Sequence, residues 1–281
     1  MNLPIRSYLY VPGDDPHRIE KALATDADAV VLDLEDAVAP NRKEEARETA
    51  AGVLESKPAK PVFVRVNALG SELAARDIDA VIGPHLAGLR LPKVESLESV
   101  RLVAETLDEL HSEAGIQCLI ETALGLELAF EIARSHERVV GISLGEADLA
   151  ADLGVRGEAG LLYARSRIVS ASRAAGLPNP VQSVYTNVKD LDGLRRSTEE
   201  GKNMGFVGRS AIHPDQISII NEVFTPTEEG VARASGLLDR LEGEAASGSG
   251  AFVLEDGSFV DRAVVESARR TLALARREGA P

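Results

Sequence analysis

Eight times in succession the chain passes from a short apolar run to an amphipathic, charge-bearing segment, and this alternation limits what it can fold into. The apolar runs fall at residues 7–12, 29–34, 62–67, 89–93, 116–121, 139–144, 181–185 and 206–212. The helix-like segments that follow them cover residues 16–24, 41–56, 72–82, 96–112, 124–134, 161–176, 190–204 and 215–223, with a polar loop expected ahead of residue 161. Runs such as Ala29-Val30-Val31-Leu32 are apolar at every position, the pattern of a parallel strand with both faces covered. Asp14 or Asp15 before Pro16, and Asn41 before the second charged segment, are placed to cap helices. Eight such units predict an α/β chain folded as a (β/α)8 TIM barrel in preference to an open doubly wound sheet. No Gly-x-Gly-x-x-Gly follows the first run, which counts against dinucleotide binding.

Residues 1–224 are expected to form the barrel and residues 225–281 an extension of it. The extension reads as a surface helix, a flexible Ser- and Gly-rich hinge at 245–250, a hairpin-like piece turning at Asp256-Gly257, and a last helix from Arg262. A piece too small to hold its own core has to pack on the barrel or on a neighbouring subunit, and it is expected to serve as a lid. Lys and Arg number 31 against 45 Asp and Glu, a formal charge of −14, so nucleic-acid binding through bulk electrostatics is not expected. The single cysteine, Cys118, lies inside an apolar run and reads as a small buried hydrophobe. No long apolar stretch predicts a signal peptide or a membrane span, and a cytoplasmic location is expected.

In a barrel, chemistry is placed at the C-terminal ends of the strands. Those ends carry Asp33, Glu35 and Asp36, then Arg65 and Asn67, then Lys93, then Glu121, with Asp148 just past the sixth run. So many carboxylates on one rim repel one another unless a cation is held among them. Glu121 and Asp148, 27 residues or one strand-helix unit apart, suit Mg2+ with water and substrate completing the shell. Alternatively each caps the helix after it, worth roughly 0.3–1 kcal/mol. Glu146 is a neighbouring candidate ligand. Arg65 interrupts an apolar run, so it either pairs with Glu35 or Asp36 or takes a substrate carboxylate. Lys93 is a solvated or salt-bridged lysine or a Schiff-base former, and His213 before Pro214 a turn histidine or a general base.

A set of ordered blocks carries a family resemblance. They are Arg6-Ser7-Tyr8-Leu9-Tyr10-Val11-Pro12-Gly13, Asp33-Leu34-Glu35-Asp36-Ala37-Val38, Val64-Arg65-Val66-Asn67, Leu91-Pro92-Lys93-Val94-Glu95, Ile120-Glu121-Thr122, Asp148-Leu149-Ala150-Ala151-Asp152-Leu153-Gly154 and Ile212-His213-Pro214-Asp215-Gln216-Ile217. Together they resemble, over nearly the whole chain, the citrate lyase beta subunit-like (CitE-like) proteins of the HpcH/HpaI aldolase and citrate lyase superfamily, which includes malyl-CoA and citramalyl-CoA lyases.

The resemblance implies a TIM barrel with Mg2+ on Glu121 and Asp148. It implies Arg65 on the substrate carboxylate or the thioester-derived enolate, with Glu35, Asp36 and Lys93 among the substrate-binding residues. An acid in the C-terminal lid, Asp261 by position, would act in a neighbouring subunit, so a homo-oligomer, a homotrimer or hexamer, is implied. The implied activity is cleavage or formation of a 3-hydroxyacyl-CoA thioester such as malyl-CoA or citramalyl-CoA. The alternatives are thioester hydrolysis on the same scaffold and a citrate lyase beta subunit acting on a carrier-bound acyl group. Two details depart from the family pattern. Here Gly145-Glu146-Ala147-Asp148 moves an acid by one position, and Arg262-Ala263 stand where the family usually has a Pro after the lid acid.

Overall fold

The structure, a computed structural model, describes residues 5–245, 252–253, 259–260 and 262–275. The chain divides into two compact units, Ile5–Glu222 and a second one formed chiefly by the chain from Val223 onward. The first is α/β. Its seven strands are β1 (Ser7–Pro12), β2 (Ala29–Asp33), β3 (Val62–Arg65), β4 (Leu86–Leu91), β5 (Gly115–Ile120), β6 (Val139–Leu144) and β7 (Arg209–Ala211). They form one parallel sheet in the order β6-β5-β4-β3-β2-β1-β7. The helices are α1 (Pro16–Leu23), α2 (Lys43–Glu55), α3 (Glu72–Val81), α4 (Leu97–Glu109), α5 (Ala123–Glu127), α6 (Ala129–Ala133), α7 (Glu146–Leu153), α8 (Glu158–Ala174), α9 (Leu191–Met204) and α10 (Ile217–Phe224). Among the described residues no helix is long and apolar enough to cross a membrane.

The sheet is strongly curled. In a flat sheet β1 and β5, four strands apart, would lie about 19 Å from each other at about 4.8 Å per strand. Yet Gln117 on β5 donates to the Tyr8 hydroxyl on β1 at 3.1 Å, and Arg90 on β4 reaches Ser210 on β7 at 3.3 Å. The inward face therefore closes over a core in which Tyr8, Ala29, Val31 and Phe63 pack together, the two rings edge to face at 5.3 Å. The outward side chains of β2 are as buried as the inward ones, as the unbroken apolar run predicts.

Three expectations are corrected here. Residues 181–185 do not form a regular strand; they contribute an isolated parallel bridge, Gln182 to Arg209. The segment is bonded on one side only: Gln182 N–H donates to Gly208 O at 2.8 Å and Gln182 O accepts from Ser210 N–H at 2.9 Å. Toward the chain that follows β6, the contact is Glu146 N–H to the Ser183 hydroxyl, a side chain in place of a ladder, and Pro180 offers no N–H. The eight strands of the expected barrel are thus met by seven. The polar loop expected after β6 contains α7, whose end is set by Gly154 in the left-handed region at φ +66°. Asn41 is not the cap of α2; it lies inside a 3-10 turn, Pro40–Arg42, that runs into the helix. Asp15, by contrast, does cap α1, accepting from Arg18 N–H at 3.0 Å.

In the second unit, α11 (Glu228–Ala245) packs on α12 (Arg262–Ala275). Two short antiparallel strands, β8 (Phe252–Val253) and β9 (Phe259–Val260), precede α12. The hinge residues 246–250, the turn at Asp256-Gly257 and Asp261 lie outside the described residues.

One buried polar cluster ties β3 to the helices behind it. Asp77 on α3 is fully buried; it accepts from Arg47 Nε at 3.1 Å, from Asn67 N–H at 2.9 Å and from Asn67 Nδ2 at 2.6 Å. Asn67 in turn donates to Leu34 O at 2.9 Å, joining the ends of β2 and β3. Asp77→Ala would leave the Arg47 guanidinium buried with only Glu44 beside it. A loss of about 3–5 kcal/mol is expected in urea unfolding followed by circular dichroism.

Candidate active site

Asp33, the last residue of β2, organises one rim of the inward face. It is 2 % exposed and takes Arg65 in a two-point pair, Nε to Oδ1 at 2.8 Å and Nη2 to Oδ2 at 2.6 Å. The register places them opposite each other on β2 and β3. The same carboxylate accepts from Glu35 N–H at 2.9 Å and Ala37 N–H at 3.2 Å, so it also shapes the loop carrying Glu35 and Asp36. Arg65 Nη1 then lies 3.0 Å from Glu35 Oε2, without hydrogen-bond alignment, and 3.5 Å from the exposed Asp36. Burial lowers the Arg65 pKa, and the Asp33 partnership outweighs it, leaving the guanidinium more basic than usual. The pairing expected with Glu35 or Asp36 is present, with Asp33 as the dominant partner.

From Glu35 the contacts run to the other carboxylates. Its Oε1 accepts from Lys93 Nζ at 2.9 Å, and the same ammonium lies 3.8 Å from Asp148 Oδ2. Lys93 follows Pro92 in a left-handed backbone, φ +50°, uncommon for a residue with a side chain, and its N–H there donates to Glu121 Oε2 at 2.9 Å. Burial lowers the Lys93 pKa while Glu35, Asp36 and Asp148 more than restore it, so the amine stays charged and does not suit a Schiff base. Glu35, Lys93, Glu121 and Asp148 therefore come together around one ammonium group and one N–H. Glu121 and Asp148 also line a cavity of about 510 Å³, together with Tyr10, Asp33, Arg65 and Arg90.

Glu121 is the least compensated carboxylate of the group. It is 3 % exposed and, among the described residues, forms no ion pair. Burial pushes its carboxyl up to about 7, with the Glu35 and Asp148 charges adding to the effect against the Lys93 N–H and Arg65. A Cβ at Gly145 would fall 2.1 Å from Oε1, so the loop after β6 has to carry glycine for the carboxylate to hold its place. Asp148 comes from the first turn of α7. A buried carboxylate lacking a basic partner, beside a second on the neighbouring element, fits a hard divalent cation. No cluster of three or more such side chains forms among the described residues, so most of the shell would come from water and substrate, as Mg2+ favours.

Glu146, the other acid near the pair, is taken by α8. Arg165 grips it at 2.8 and 2.5 Å and also binds Glu158 at 2.5 Å, which raises the guanidinium pKa above its ordinary value. Among the described residues no arginine holds Glu121 or Asp148: Glu121 accepts only the Lys93 N–H, and Asp148 lies 3.8 Å from the Lys93 ammonium. His213 is a turn histidine: Nδ1 accepts from Asp215 N–H at 3.2 Å at the head of a 3-10 turn. Cys118 is fully buried and its thiol is pushed up to about 12, which leaves it inert. Sequence reasoning missed Arg90, although it breaks the apolar run at Leu89-Arg90-Leu91 as Arg65 breaks its own, and it had no local signal for Arg165 or for Asp33 as the main partner of Arg65.

The family described as HpcH/HpaI aldolase/citrate lyase matches residues 6–214. A (3S)-malyl-CoA thioesterase of Cereibacter sphaeroides is 37 % identical over 97 % of this chain and 95 % of its own. The mitochondrial citramalyl-CoA lyase of Homo sapiens is 34 % identical over 97 % of this chain and 86 % of its own. Among solved structures, the CitE protein of Mycobacterium tuberculosis in complex with magnesium, acetoacetate and coenzyme A superimposes with a TM-score of 0.77. It is 33 % identical, the match covering 96 % of this chain and 98 % of that one.

The raised carboxyl of Glu121 gives a signed expectation. Its neutral form is favoured in the folded chain, so its contribution to stability is complete below about 4.5 and lost as pH rises through about 7. Glu121→Gln should therefore stabilise the metal-free protein at pH 8 by on the order of 2–3 kcal/mol in urea unfolding. Mg2+ should raise the melting temperature of the parent protein, more at pH 8 than at pH 6, and leave the variant's unchanged.

Proposed function

The chain belongs to the HpcH/HpaI aldolase/citrate lyase family and is an enzyme of lyase type, and we propose that it is a Mg2+-dependent carbon–carbon lyase. It cleaves, or in reverse forms, a 3-hydroxyacyl-CoA thioester such as malyl-CoA or citramalyl-CoA, giving a 2-oxoacid and acetyl-CoA. The observation that carries this reading is the buried, uncompensated carboxylate of Glu121 beside Asp148, a pair that calls for a divalent cation.

Glu121 and Asp148 would hold Mg2+, whose Lewis acidity would make the substrate hydroxyl more acidic. Asp261, reaching in from another subunit, takes the hydroxyl proton. The bond between the hydroxyl carbon and the α-carbon of the thioester breaks, the hydroxyl oxygen becomes the carbonyl of the 2-oxoacid, and the electron pair passes into the thioester as an enolate. Arg65 stabilises the enolate oxygen through Nη1, the edge left by Asp33, whose bond to exposed Asp36 is long enough for a substrate oxygen to displace. Proton uptake at carbon then yields the acetyl thioester. Lys93 and Glu35 hold the rim carboxylates in place, with Asp36 at the mouth.

The same reading includes a closed (β/α)8 barrel in residues 1–224 and a lid in residues 225–281 that packs on a neighbouring subunit. It places the protein as a cytoplasmic homo-oligomer, a trimer or hexamer. Thioester hydrolysis is the second reading, favoured by the name of the Cereibacter sphaeroides relative. Water would then attack the thioester carbonyl. A third is a beta subunit acting on a carrier-bound acyl group within a citrate lyase, consistent with the family description.

Mass spectrometry of the purified chain with malyl-, citramalyl- and citryl-CoA separates these readings. A 2-oxoacid and acetyl-CoA formed only with Mg2+ is the expected result; free CoA with the carbon skeleton intact would favour hydrolysis, and turnover only of carrier-bound substrate the third reading. Arg65→Lys should lower kcat/KM at least tenfold, since a point charge cannot keep the two-point pair to Asp33 and also reach substrate. Mixing inactive Asp261→Ala and Glu121→Gln protomers should restore part of the activity, and a complete lack of rescue would remove Asp261 from the neighbouring site.

A further inference from the structure

The cavity contains a second guanidinium that the metal pair and Arg65 leave unused. Arg90 sits on β4 in register with Arg65 on one side and Gln117 on the other, and is 1 % exposed. Its partners are neutral: Nε donates to Gln117 Oε1 at 2.7 Å, and Nη1 to the Tyr10 hydroxyl at 2.6 Å and to Ser210 Oγ at 3.3 Å. The charge lies over the rings of Tyr8 and Tyr10, 4.5 and 5.3 Å from their centroids. Among the described residues no carboxylate pairs with it, and Nη2 donates no hydrogen bond. This is unlike Arg65 and Arg165, which meet three and two carboxylates respectively. Arg209, the other buried guanidinium on the sheet without an acid, turns instead to Ser197 and Thr198 on α9.

A buried charge with no counter-ion is expensive, by several kcal/mol, and rings and hydroxyls recover part of that. The remainder is recovered when an anion enters, and Arg90 lines the cavity it would enter. We propose that Arg90, with the hydroxyls of Tyr10 and Ser210, forms a carboxylate subsite in the cavity and favours, over malyl- or citramalyl-CoA, substrates of the same class whose hydroxyl carbon bears a second, anionic arm. This inference rests on the lyase reading. There Glu121 and Asp148 would hold the cation that takes up the carboxylate and hydroxyl of that carbon. The remaining substituent would then meet Arg90, which lines the same cavity as Glu121 and Asp148. Hydrogen or methyl there leaves Arg90 unpaired; a carboxymethyl arm neutralises it. The corresponding product is a 2-oxo dicarboxylate in place of a 2-oxo monocarboxylate.

Isothermal titration of the full chain in Mg2+ with freshly dissolved oxaloacetate and with pyruvate tests this. Oxaloacetate should bind at least tenfold tighter than pyruvate. Arg90→Met should bring the two within twofold while leaving pyruvate affinity within threefold of the parent, and Ser210→Ala should shrink the preference severalfold. Equal binding of the two acids by the parent protein, a measurement that needs no variant, overturns the subsite and leaves the lyase reading standing. A preference that survives in a folded Arg90→Met protein overturns it equally. If neither acid binds in Mg2+, the metal-centred reading falls and the subsite with it.

Discussion

The buried pair between Asp33 and Arg65 is the interaction on which the site depends. A carboxylate at 2 % exposure is tolerable because a guanidinium meets it along a two-point edge, and its remaining lone pairs accept from the Glu35 and Ala37 N–H groups. That pairing fixes the loop after β2, and the loop delivers Glu35 to Lys93. Lys93, held in a left-handed turn, presents its N–H to Glu121 and its ammonium toward Asp148. Four strand ends are thus joined by one chain of charge-assisted contacts, and each link sets the position of the next.

The polar residues of the inward face divide by whether their charge is answered. Asp33, Arg65, Glu146 and Arg165 are answered by side chains and serve as a frame. Glu121 and Arg90 are buried without a counter-charge, one a carboxylate held near neutrality and the other a guanidinium among hydroxyls and rings. Folding gains little from leaving them so, since apolar replacements would satisfy packing at lower electrostatic cost. Their opposite signs suit opposite ligands: a cation at Glu121 and an anion at Arg90. The one-position shift of the acid to Glu146 has a physical consequence too, for that carboxylate lies within the grip of Arg165.

Much of this was legible in the chain itself. Seven of the eight expected strands and most helices fall where the apolar runs and caps put them, because a two-sided buried strand and an amphipathic helix each write their period into a short window. The site residues at strand ends were legible for the same reason, as polar letters closing apolar runs. Where the reading failed, the deciding contact was distant. Residues 181–185 have a strand's composition, but only one neighbour gives them a ladder. Asn41 has a cap's chemistry, yet Pro40 starts a 3-10 turn one residue earlier. The stretch before residue 161 reads as a loop because α7 exposes most of its length and shows little apolar face.

By itself, then, the sequence determined an α/β chain of parallel strands and a rim rich in carboxylates, since periodicity and strand-end residues are local properties. Tertiary structure alone decided which charges meet. The curl of the sheet brings Gln117 to Tyr8 and Arg90 to Ser210 across four strands, and the rim acids divide into those with a basic side-chain partner and Glu121, which has none among the described residues. Pairing energy depends on distance and burial in three dimensions, and neither is encoded in the spacing of residues along the chain.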